Sequence, residues 1–205
     1  MPRRLLEVTG FVLAGGASTR MGRPKEALIL DGETMLERQI RLLGAVCRSV
    51  AVVGRPAQAP TDVLAFADEL TGRGPLGGIS TGLWRTRTEF NLFLGCDMPF
   101  MAARFLSYLG ERALESRAGV TVPQTPGRGY QPLCAVYRRE ARAAVQAALA
   151  AGRNKVTSFY PKVRVRRIQW AEIARAGFGL RIFENMNTPA DYDAVRRRLP
   201  SWCGH

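Results

Sequence analysis

Residues 10–25 read Gly10-Phe-Val-Leu-Ala-Gly-Gly-Ala-Ser-Thr-Arg-Met-Gly-Arg-Pro-Lys25. The first five residues form a short apolar run, and two glycines and a polar loop follow it directly. A buried parallel strand is apolar on both faces, and ligands of α/β sheets bind beyond the carboxyl ends of such strands. We therefore expect a strand at 10–14 that ends at a ligand-binding edge.

The loop after this strand has the composition of a phosphate-binding loop. Its glycines allow backbone N–H groups to approach phosphate oxygens, and Arg20, Arg23 and Lys25 add positive charge. It is not a Walker A loop, because the spacing before Lys25 differs and no Ser or Thr follows, and it is not G-x-G-x-x-G. An ordinary glycine-rich turn would explain the two glycines alone, so the added charge is what favours a polyphosphate ligand.

The rest of the chain alternates between strand-like and helix-like segments. Apolar runs typical of strands lie at 50–53, 90–94, 119–122, 133–137, 163–168 and 180–183, and helical patterns at 35–43, 76–84, 102–114, 140–151 and 190–199. Thr34 has the residue type and position of a helix N-cap. The segment 123–132 is rich in Pro and Gly and predicts a long loop. This alternation predicts an α/β fold, a Rossmann-like three-layer sandwich with a mostly parallel sheet, in a single domain over 1–205.

The net charge of +13, from 30 Lys and Arg against 17 Asp and Glu, favours anionic ligands but does not choose among them. Nearly all of it is arginine, which a genome rich in G and C would also explain. The four cysteines form no C-x-x-C pair, so the sequence encodes neither a zinc site nor a disulfide framework. No segment resembles a signal peptide or is long enough to span a bilayer. We expect a soluble cytoplasmic protein without a membrane partner.

The complete string from Leu13 to Lys25 resembles the L-A-G-G-x-S-x-R-M-G-x-x-K signature of the MobA-like nucleotidyltransferase family, which includes molybdenum cofactor guanylyltransferases. Every fixed position is present. Further motifs follow in the family's order at Gly74-Pro-Leu-Gly-Gly78, Leu94-Gly-Cys-Asp-Met-Pro-Phe100 and Asn185-Met-Asn-Thr-Pro189, with Gln131-Pro-Leu133 as a weaker fourth. The resemblance spans most of the chain and implies a fold of the nucleotide-diphospho-sugar transferase type. One departure is Gly54-Arg55, where some members have an asparagine near the nucleotide.

Asp97 follows an apolar strand and should lie at the carboxyl edge of the sheet. A hard oxygen ligand at that edge suits Mg²⁺, whereas a helix cap is the structural alternative. The resemblance implies that Asp97 is the magnesium ligand. It also implies a guanine contact for Asp68, which could otherwise be a solvated acid, and a nucleotide contact at the helix start Gly74-Pro75. The other nucleotide-binding residues that it implies are Leu13, Ala14, Gly15, Gly16 and Lys25.

Asn185 and Asn187 bracket Met186 on what reads as the end of a strand, so their side chains should point the same way. In the family, these two asparagines help to hold the acceptor. The resemblance assigns Arg20 and Gly22 to the acceptor as well. Thr188-Pro189 has the pattern of a cap for the last helix, which alone could explain part of this segment.

The resemblance implies attack by the terminal phosphate of molybdenum-molybdopterin on the α-phosphorus of GTP, which yields a guanine dinucleotide and pyrophosphate. Arg20, Lys25 and Asp97 would be the catalytic residues, with Mg²⁺ as cofactor. The nucleophile is already an anion, so no general base is required. Implied partners are GTP, molybdenum-molybdopterin and the proteins that deliver or receive the molybdenum cofactor.

Three other functions are compatible with parts of the sequence. Cytidylyltransferases for the same pterin have L-A-A-G in place of Leu13-Ala-Gly-Gly16, and the smaller Gly15 favours a purine. Sugar-phosphate nucleotidyltransferases share the opening loop but usually have a longer chain. A non-catalytic binder of nucleotides or nucleic acid is the alternative from another class, but interleaved aromatic residues and a recognisable nucleic-acid module are missing. We therefore expect no specific nucleic-acid partner.

Overall fold

The structure is a computed structural model that describes residues 2–15, 21–22, 24–54, 59–70 and 72–199. Its strands and helices follow one another in the chain as β1 Leu5–Ala14, β2 Ile29–Leu30, β3 Glu33–Thr34, α1 Met35–Gly44, β4 Cys47–Gly54, β5 Leu64–Ala67, α2 Gly74–Arg85, β6 Phe90–Gly95, α3 Ala103–Ser116, β7 Val120–Thr125, β8 Gly129–Tyr130, β9 Cys134–Arg138, α4 Arg142–Ala150, β10 Val165–Gln169, α5 Trp170–Arg175 and α6 Pro189–Arg198. Short 3-10 helices lie at Lys25–Ala27, Arg139–Ala141, Val156–Lys162 and Leu180–Phe183.

Within these residues, eight of the strands form one sheet in the order β10-β7-β9-β6-β1-β4-β5, with β8 paired to β7. The neighbours β6, β1, β4 and β5 are parallel, and β10 is parallel to β7. Only β9 and β8 run against their neighbours. The predicted mostly parallel sheet is confirmed. Its parallel half brings the carboxyl ends of β1, β4, β5 and β6 to one edge.

Helices cover both faces of the sheet, which gives the three predicted layers. One core joins the sheet to α1, α3 and α5, and the second joins it to α2, α4 and the 3-10 helix Val156–Lys162. In the second core Phe11 and Phe93 stack at 4.9 Å. A Cβ on Gly82 would lie 2.7 Å from the Phe93 ring, so glycine lets α2 approach the sheet closely.

The predicted start of α1 is confirmed at atomic detail. Thr34 accepts a hydrogen bond from the Glu37 N–H, and the Glu37 carboxylate accepts one from the Thr34 N–H, which completes a capping box. The two reciprocal bonds satisfy N–H groups that have no partner inside the helix. The end of α1 at Gly44 differs from the prediction by one residue.

Two of the predicted segments have a different secondary structure. The run 180–183 is a 3-10 helix and not a strand, and it buries Ile182 and Phe183 in the core. Short apolar runs do not reveal their period, which explains the error. The segment 123–132 is not one long loop: β7 continues to Thr125 and forms a hairpin with β8. Gly127 and Gly129, both with φ of 68°, supply the turn between them.

The strand β5, the hairpin β2–β3 and the helix α5 were not predicted. These elements are only two to six residues long, and so short a segment does not reveal its period. Among the described residues, none of the helices is long and apolar enough to cross a membrane.

Candidate active site

A cavity of about 610 Å³ lies at the carboxyl edge of the parallel strands. Its walls come from the ends of β1, β4 and β6, the start of α2, and the segments that follow them. A volume in this range is typical of small-molecule sites. The residues lining it are Leu13, Ala14, Gly15, Lys25, Glu26, Val53, Gly54, Asp68, Gly72, Gly74, Pro75, Gly78, Gly95, Cys96, Asp97 and Leu133.

The cavity therefore brings together most of the residues that the sequence singled out for the nucleotide. Leu13, Ala14 and Gly15 reach it from β1, and Gly74 and Pro75 from the start of α2. Two predicted residues, Gly16 and Arg20, lie outside the described part of the chain. Gly22 is exposed and has a φ of 69°, but it is not among the lining residues.

Gly54 shapes the floor of the cavity where β4 ends beside β1. Its φ of 126° is unfavourable for other residues, and a Cβ at this position would lie 1.8 Å from the carbonyl oxygen of Ala14. At Gly15 the situation differs, since a Cβ would meet only the Cα of Gly54 at 3.7 Å. Glycine is thus sterically required at 54, whereas at 15 it leaves space that a methyl group could occupy.

Lys25 and Asp97 form the charged centre of the cavity. The Lys25 Nζ lies 4.0 Å from Oδ2 of Asp97, and the Asp97 side chain is 17% exposed. Burial raises the pKa of Asp97, and the Lys25 ammonium opposes that effect only in part. Among the described residues, Oδ1 of Asp97 is buried without a hydrogen-bond partner. A buried carboxylate oxygen of this kind is suited to a hard cation.

The segment after Asp97 is held by backbone and side-chain contacts from two sides. The Met186 N–H donates to the Asp97 carbonyl at 2.8 Å. From α1, Gln39 Nε2 donates to the Met98 carbonyl and Arg38 Nε to the Pro99 carbonyl, each at 3.0 Å. Gln39 is fully buried. These two side chains were not predicted; a glutamine among the core-facing positions of an amphipathic helix is the signal that could have indicated them.

Asn187 contacts Lys25, whereas Asn185 does not. Lys25 Nζ donates to Oδ1 of Asn187 at 2.5 Å, and Asn187 is half-buried. Asn185 is exposed, and the buried Met186 separates the two. The residues follow a 3-10 helix, so the strand geometry on which their common orientation was predicted is absent here. The predicted cap at Thr188 is confirmed, because Thr188 and Asp191 form a capping box at the start of α6.

Asp68 follows β5 and lines the cavity near the start of α2. Its Oδ1 accepts hydrogen bonds from the Leu70 N–H at 3.0 Å and from Thr81 Oγ1 at 3.4 Å. The carboxylate is therefore anchored to its own turn and to α2, and it is half-buried. This placement differs from that of a freely solvated acid in a loop.

Glu26 is a cavity residue that sequence reasoning missed. It lines the wall beside Lys25 and is only 3% exposed, although it follows a lysine in a polar loop. Burial and then the carboxylates of Glu26 and Asp97 raise the pKa of Cys96. A raised pKa disfavours the thiolate, which is the form in which a cysteine acts as a nucleophile.

No group of three or more His, Cys, Asp and Glu side chains comes together as a metal site in the described residues. A cation at Asp97 would therefore find fewer than three such side chains in the part of the chain that the structure describes. Mg²⁺ fits this arrangement, since it commonly takes one or two carboxylates and adds phosphate oxygens and water.

The chain is similar to a known protein family and to named relatives in sequence. The family model described as MobA-like NTP transferase domain matches residues 10–165. The chain is 35% identical over 195 residues to a probable molybdenum cofactor guanylyltransferase of Pelotomaculum thermopropionicum, with 94% of this chain and 93% of that protein covered. It is 33% identical to the molybdenum cofactor guanylyltransferase of Desulfosudis oleivorans, with 94% and 96% covered.

Among solved structures, the chain resembles the molybdopterin-guanine dinucleotide biosynthesis protein A of Archaeoglobus fulgidus. The TM-score is 0.82 at 21% identity, and the match covers 94% of this chain and 99% of that one. The 2-C-methyl-D-erythritol 4-phosphate cytidylyltransferase of Thermus thermophilus matches with a TM-score of 0.69 at 16% identity, over 95% and 100% of the two chains. Both matches support the observed fold.

Proposed function

Because the chain belongs to the MobA-like NTP transferase family, we propose that it transfers GMP from GTP to the terminal phosphate of molybdenum-molybdopterin. A phosphate oxygen of the acceptor bonds to the α-phosphorus, the bond from that phosphorus to the bridging oxygen breaks, and pyrophosphate leaves. The observation that carries the proposal is the lysine and buried carboxylate in one cavity of a chain that matches named guanylyltransferases over nearly its whole length.

The nucleotide would lie along the carboxyl edge of the parallel strands. The Asp68 carboxylate is proposed to accept hydrogen bonds from the N1–H and amino group of guanine, and N–H groups in the first turn of α2, which begins at Gly74, would assist. Backbone groups at 13–16 would surround the phosphates. The anchoring of Asp68 to Leu70 and Thr81 supports this role, because a base-reading carboxylate needs a defined position.

Lys25 would neutralise charge on the triphosphate, and Arg20 is proposed to assist it. Asp97 would hold Mg²⁺, which supplies Lewis-acid stabilisation of the phosphate charge when bound. The partnerless Oδ1 of Asp97 and the absence of a third protein ligand among the described residues fit an ion that is shared with phosphates. Catalysis would consist of positioning and charge neutralisation.

Arg20, Gly22, Asn185 and Asn187 are proposed to face the acceptor. Its phosphate is an anion at neutral pH and needs no general base. We also propose that the protein acts in the cytoplasm as a single domain over 1–205, and that it contacts proteins that deliver or receive the molybdenum cofactor.

The test is a transfer reaction with the purified protein, Mg²⁺, molybdenum-molybdopterin and each of the four α-labelled NTPs. We expect pyrophosphate release and a labelled dinucleotide with GTP alone, and loss of both with Asp97→Ala. Equal use of CTP would contradict the guanylyl assignment. Absence of transfer with every NTP, despite GTP binding, would instead indicate a non-catalytic binder.

Gly15→Ala examines base selection in the same assay. The methyl group meets only Gly54 Cα at 3.7 Å, so the fold should tolerate it. We expect the ratio of kcat/KM for GTP over CTP to fall, because the added methyl narrows the space for a purine. An unchanged ratio would show that Gly15 does not contribute to the selection of GTP over CTP.

A further inference from the structure

A second cavity, of about 480 Å³, adjoins the first. Pro75 and Leu133 line both, so the two cavities share a wall at the start of α2 and at the segment before β9. The remaining lining residues are Arg128, Gly129, Tyr130, Pro132, Lys155, Val156 and Thr157. The hairpin β7–β8 and the start of the 3-10 helix Val156–Lys162 therefore form its other walls.

The walls of the second cavity combine positive charge with a fixed aromatic surface. Arg128 and Lys155 are both exposed at the rim. The Tyr130 ring packs edge-on against Tyr160 at 5.5 Å. Tyr160 is in turn buried, and its hydroxyl lies 3.2 Å from that of Tyr137. Tyr130 thus has a supported position. Lys155 is exposed at the rim, whereas Arg128 is held by one hydrogen bond and can offer only its remaining N–H groups to a ligand.

A hydrogen bond links this cavity to the chain segment that leads to Asn187. Arg128 Nη1 donates to the Phe183 carbonyl at 2.8 Å, so the β7–β8 hairpin is tied to the end of the 3-10 helix Leu180–Phe183. Asn187 follows four residues later and contacts Lys25. The second cavity is therefore connected both to the nucleotide cavity and to the side on which the acceptor is proposed to bind.

We propose that the second cavity binds the ring portion of the acceptor, a fused heterocycle with anionic substituents that lies remote from the reacting phosphate. This inference rests on the proposed function. A phosphate monoester alone would occupy only the first cavity near Lys25 and Asp97. An acceptor that carries its phosphate at one end and a fused ring at the other can span both cavities, with the ring beside Tyr130 and the anionic groups between Arg128 and Lys155.

The consequence is acceptor selection by two separate contacts. The first cavity binds the nucleotide and positions its α-phosphate and the acceptor phosphate. The second cavity favours acceptors that have the ring system, because only these can contact it. Binding energy from a part of the substrate that does not react can hold the reacting phosphate in line with the α-phosphorus. Arg128, Tyr130 and Lys155 would then be specificity residues outside the catalytic centre.

The experiment compares the full-length protein with Arg128→Gln, Lys155→Ala and the double variant in steady-state GMP transfer, with GTP and molybdenum-molybdopterin varied separately. Lys162→Ala is the matched control, because Lys162 is an exposed lysine at the other end of the 3-10 helix that Lys155 precedes and does not line the cavity. We expect the KM for the acceptor to rise about tenfold in each single variant and further in the double variant, with the KM for GTP unchanged. A free pterin that lacks the phosphate should also inhibit transfer competitively with the acceptor, and its inhibition constant should be higher in the variants.

Three results would overturn the inference. One is an unchanged acceptor KM in the double variant; another is a rise in the KM for GTP alone, which would assign the cavity to the nucleotide. The third is an equal rise of the acceptor KM in Lys162→Ala, which would show that the loss of positive charge anywhere on this surface explains the effect. Failure of the unmodified protein to transfer GMP would instead contradict the proposed function. Circular dichroism and thermal unfolding of each variant report folding independently of GTP. A variant that fails to fold is replaced by Tyr130→Leu.

Discussion

Lys25 and Asn187 are 162 positions apart in the chain, and the Nζ of the first donates a 2.5 Å hydrogen bond to Oδ1 of the second. The same ammonium lies 4.0 Å from Asp97. The loop after β1, the segment after β6 and the segment before α6 therefore meet at one positive charge. The Met186 N–H also donates to the Asp97 carbonyl, so the backbone before Asn187 is held against the backbone at Asp97.

Asn187→Ala should reduce GMP transfer through a misplaced Lys25. Loss of one hydrogen bond to a charged group corresponds to roughly tenfold to hundredfold in kcat/KM. The free energy of unfolding should change little, because Asn187 is only half-buried. Steady-state kinetics and urea denaturation measure the two effects, and Asn154→Ala at an exposed position is the control. Full activity in Asn187→Ala would show that Lys25 does not depend on this contact.

Asp97→Asn should abolish activity and yet stabilise the protein in the absence of nucleotide and metal. Burial raises the folded-state pKa of Asp97, so ionisation of this group costs stability once the pH exceeds its unfolded pKa. We expect the variant to be more stable at pH 7 by on the order of 1 kcal/mol, and the difference to vanish as the pH falls and both states bind the proton. Transfer activity should fall at least a hundredfold.

Urea denaturation of both proteins between pH 3 and pH 8 measures the stability effect of Asp97→Asn. Asp62→Asn serves as the control, because Asp62 is exposed. A destabilised Asp97→Asn variant at pH 7 would mean that the Lys25 ion pair outweighs the cost of burial.

Gly54→Ala should be strongly destabilising. The new Cβ would overlap the Ala14 carbonyl oxygen, and alanine disfavours the φ of 126°. We expect a loss of about 3 kcal/mol or more, together with impaired GTP binding, since relief of the clash must move the ends of β1 and β4. Gly44→Ala at the end of α1 is the matched control: a Cβ there meets nothing within 4 Å, so stability should stay the same or rise slightly. Thermal unfolding of the two variants provides the comparison.

Asp191→Asn should weaken α6 in a pH-dependent way. Hydrogen bonds from the Asn187 N–H and then from Thr188 lower the pKa of Asp191 in the folded state. Its contribution to stability is therefore present above the unfolded pKa of aspartate and lost as the pH falls through the lowered folded pKa. At pH 7 the variant should be less stable by about 0.3–1 kcal/mol, the usual value of a negative charge in the first turn of a helix, and the difference should shrink near pH 3.

Guanidinium unfolding at pH 7 and pH 3 measures this dependence on Asp191. Asp193→Asn, an exposed substitution in the same helix, should leave stability nearly unchanged at both values. An effect of Asp193→Asn as large as that of Asp191→Asn would point to general helix electrostatics rather than to the capping box.

Elements with strong local signals were predicted well. The apolar run before two glycines indicated the end of β1, and Thr34 indicated the start of α1. The position of Asp97 directly after an apolar strand predicted that it would lie at the carboxyl edge of the sheet, where the first loop also begins, and Asp97 and Lys25 do line one cavity. Each of these signals depends on residues within one or two turns of the chain, or on the common edge of parallel strands.

Elements whose form depends on distant partners were not predictable in the same way. The run 180–183 could have paired as a strand, but it packs as a 3-10 turn in which Phe183 meets Phe105 at 5.1 Å between ring centroids. The hairpin at 123–130 depends on the register of Gln124 with Tyr130. Glu26 gave no signal of burial, because polar residues near a loop are normally exposed.

The sequence by itself determined the layer order, the strand that opens the site and the residue types that a phosphate and a cation require. Periodic burial, helix caps and glycine turns are local, so they can be read one segment at a time. Only the tertiary structure decided that Lys25 is held by Asn187 and not by Asn185, and that a buried glutamine of α1 supports the segment after Asp97. Those contacts join residues separated by 59 to 162 positions, and they form only when the whole sheet and both helical layers are packed.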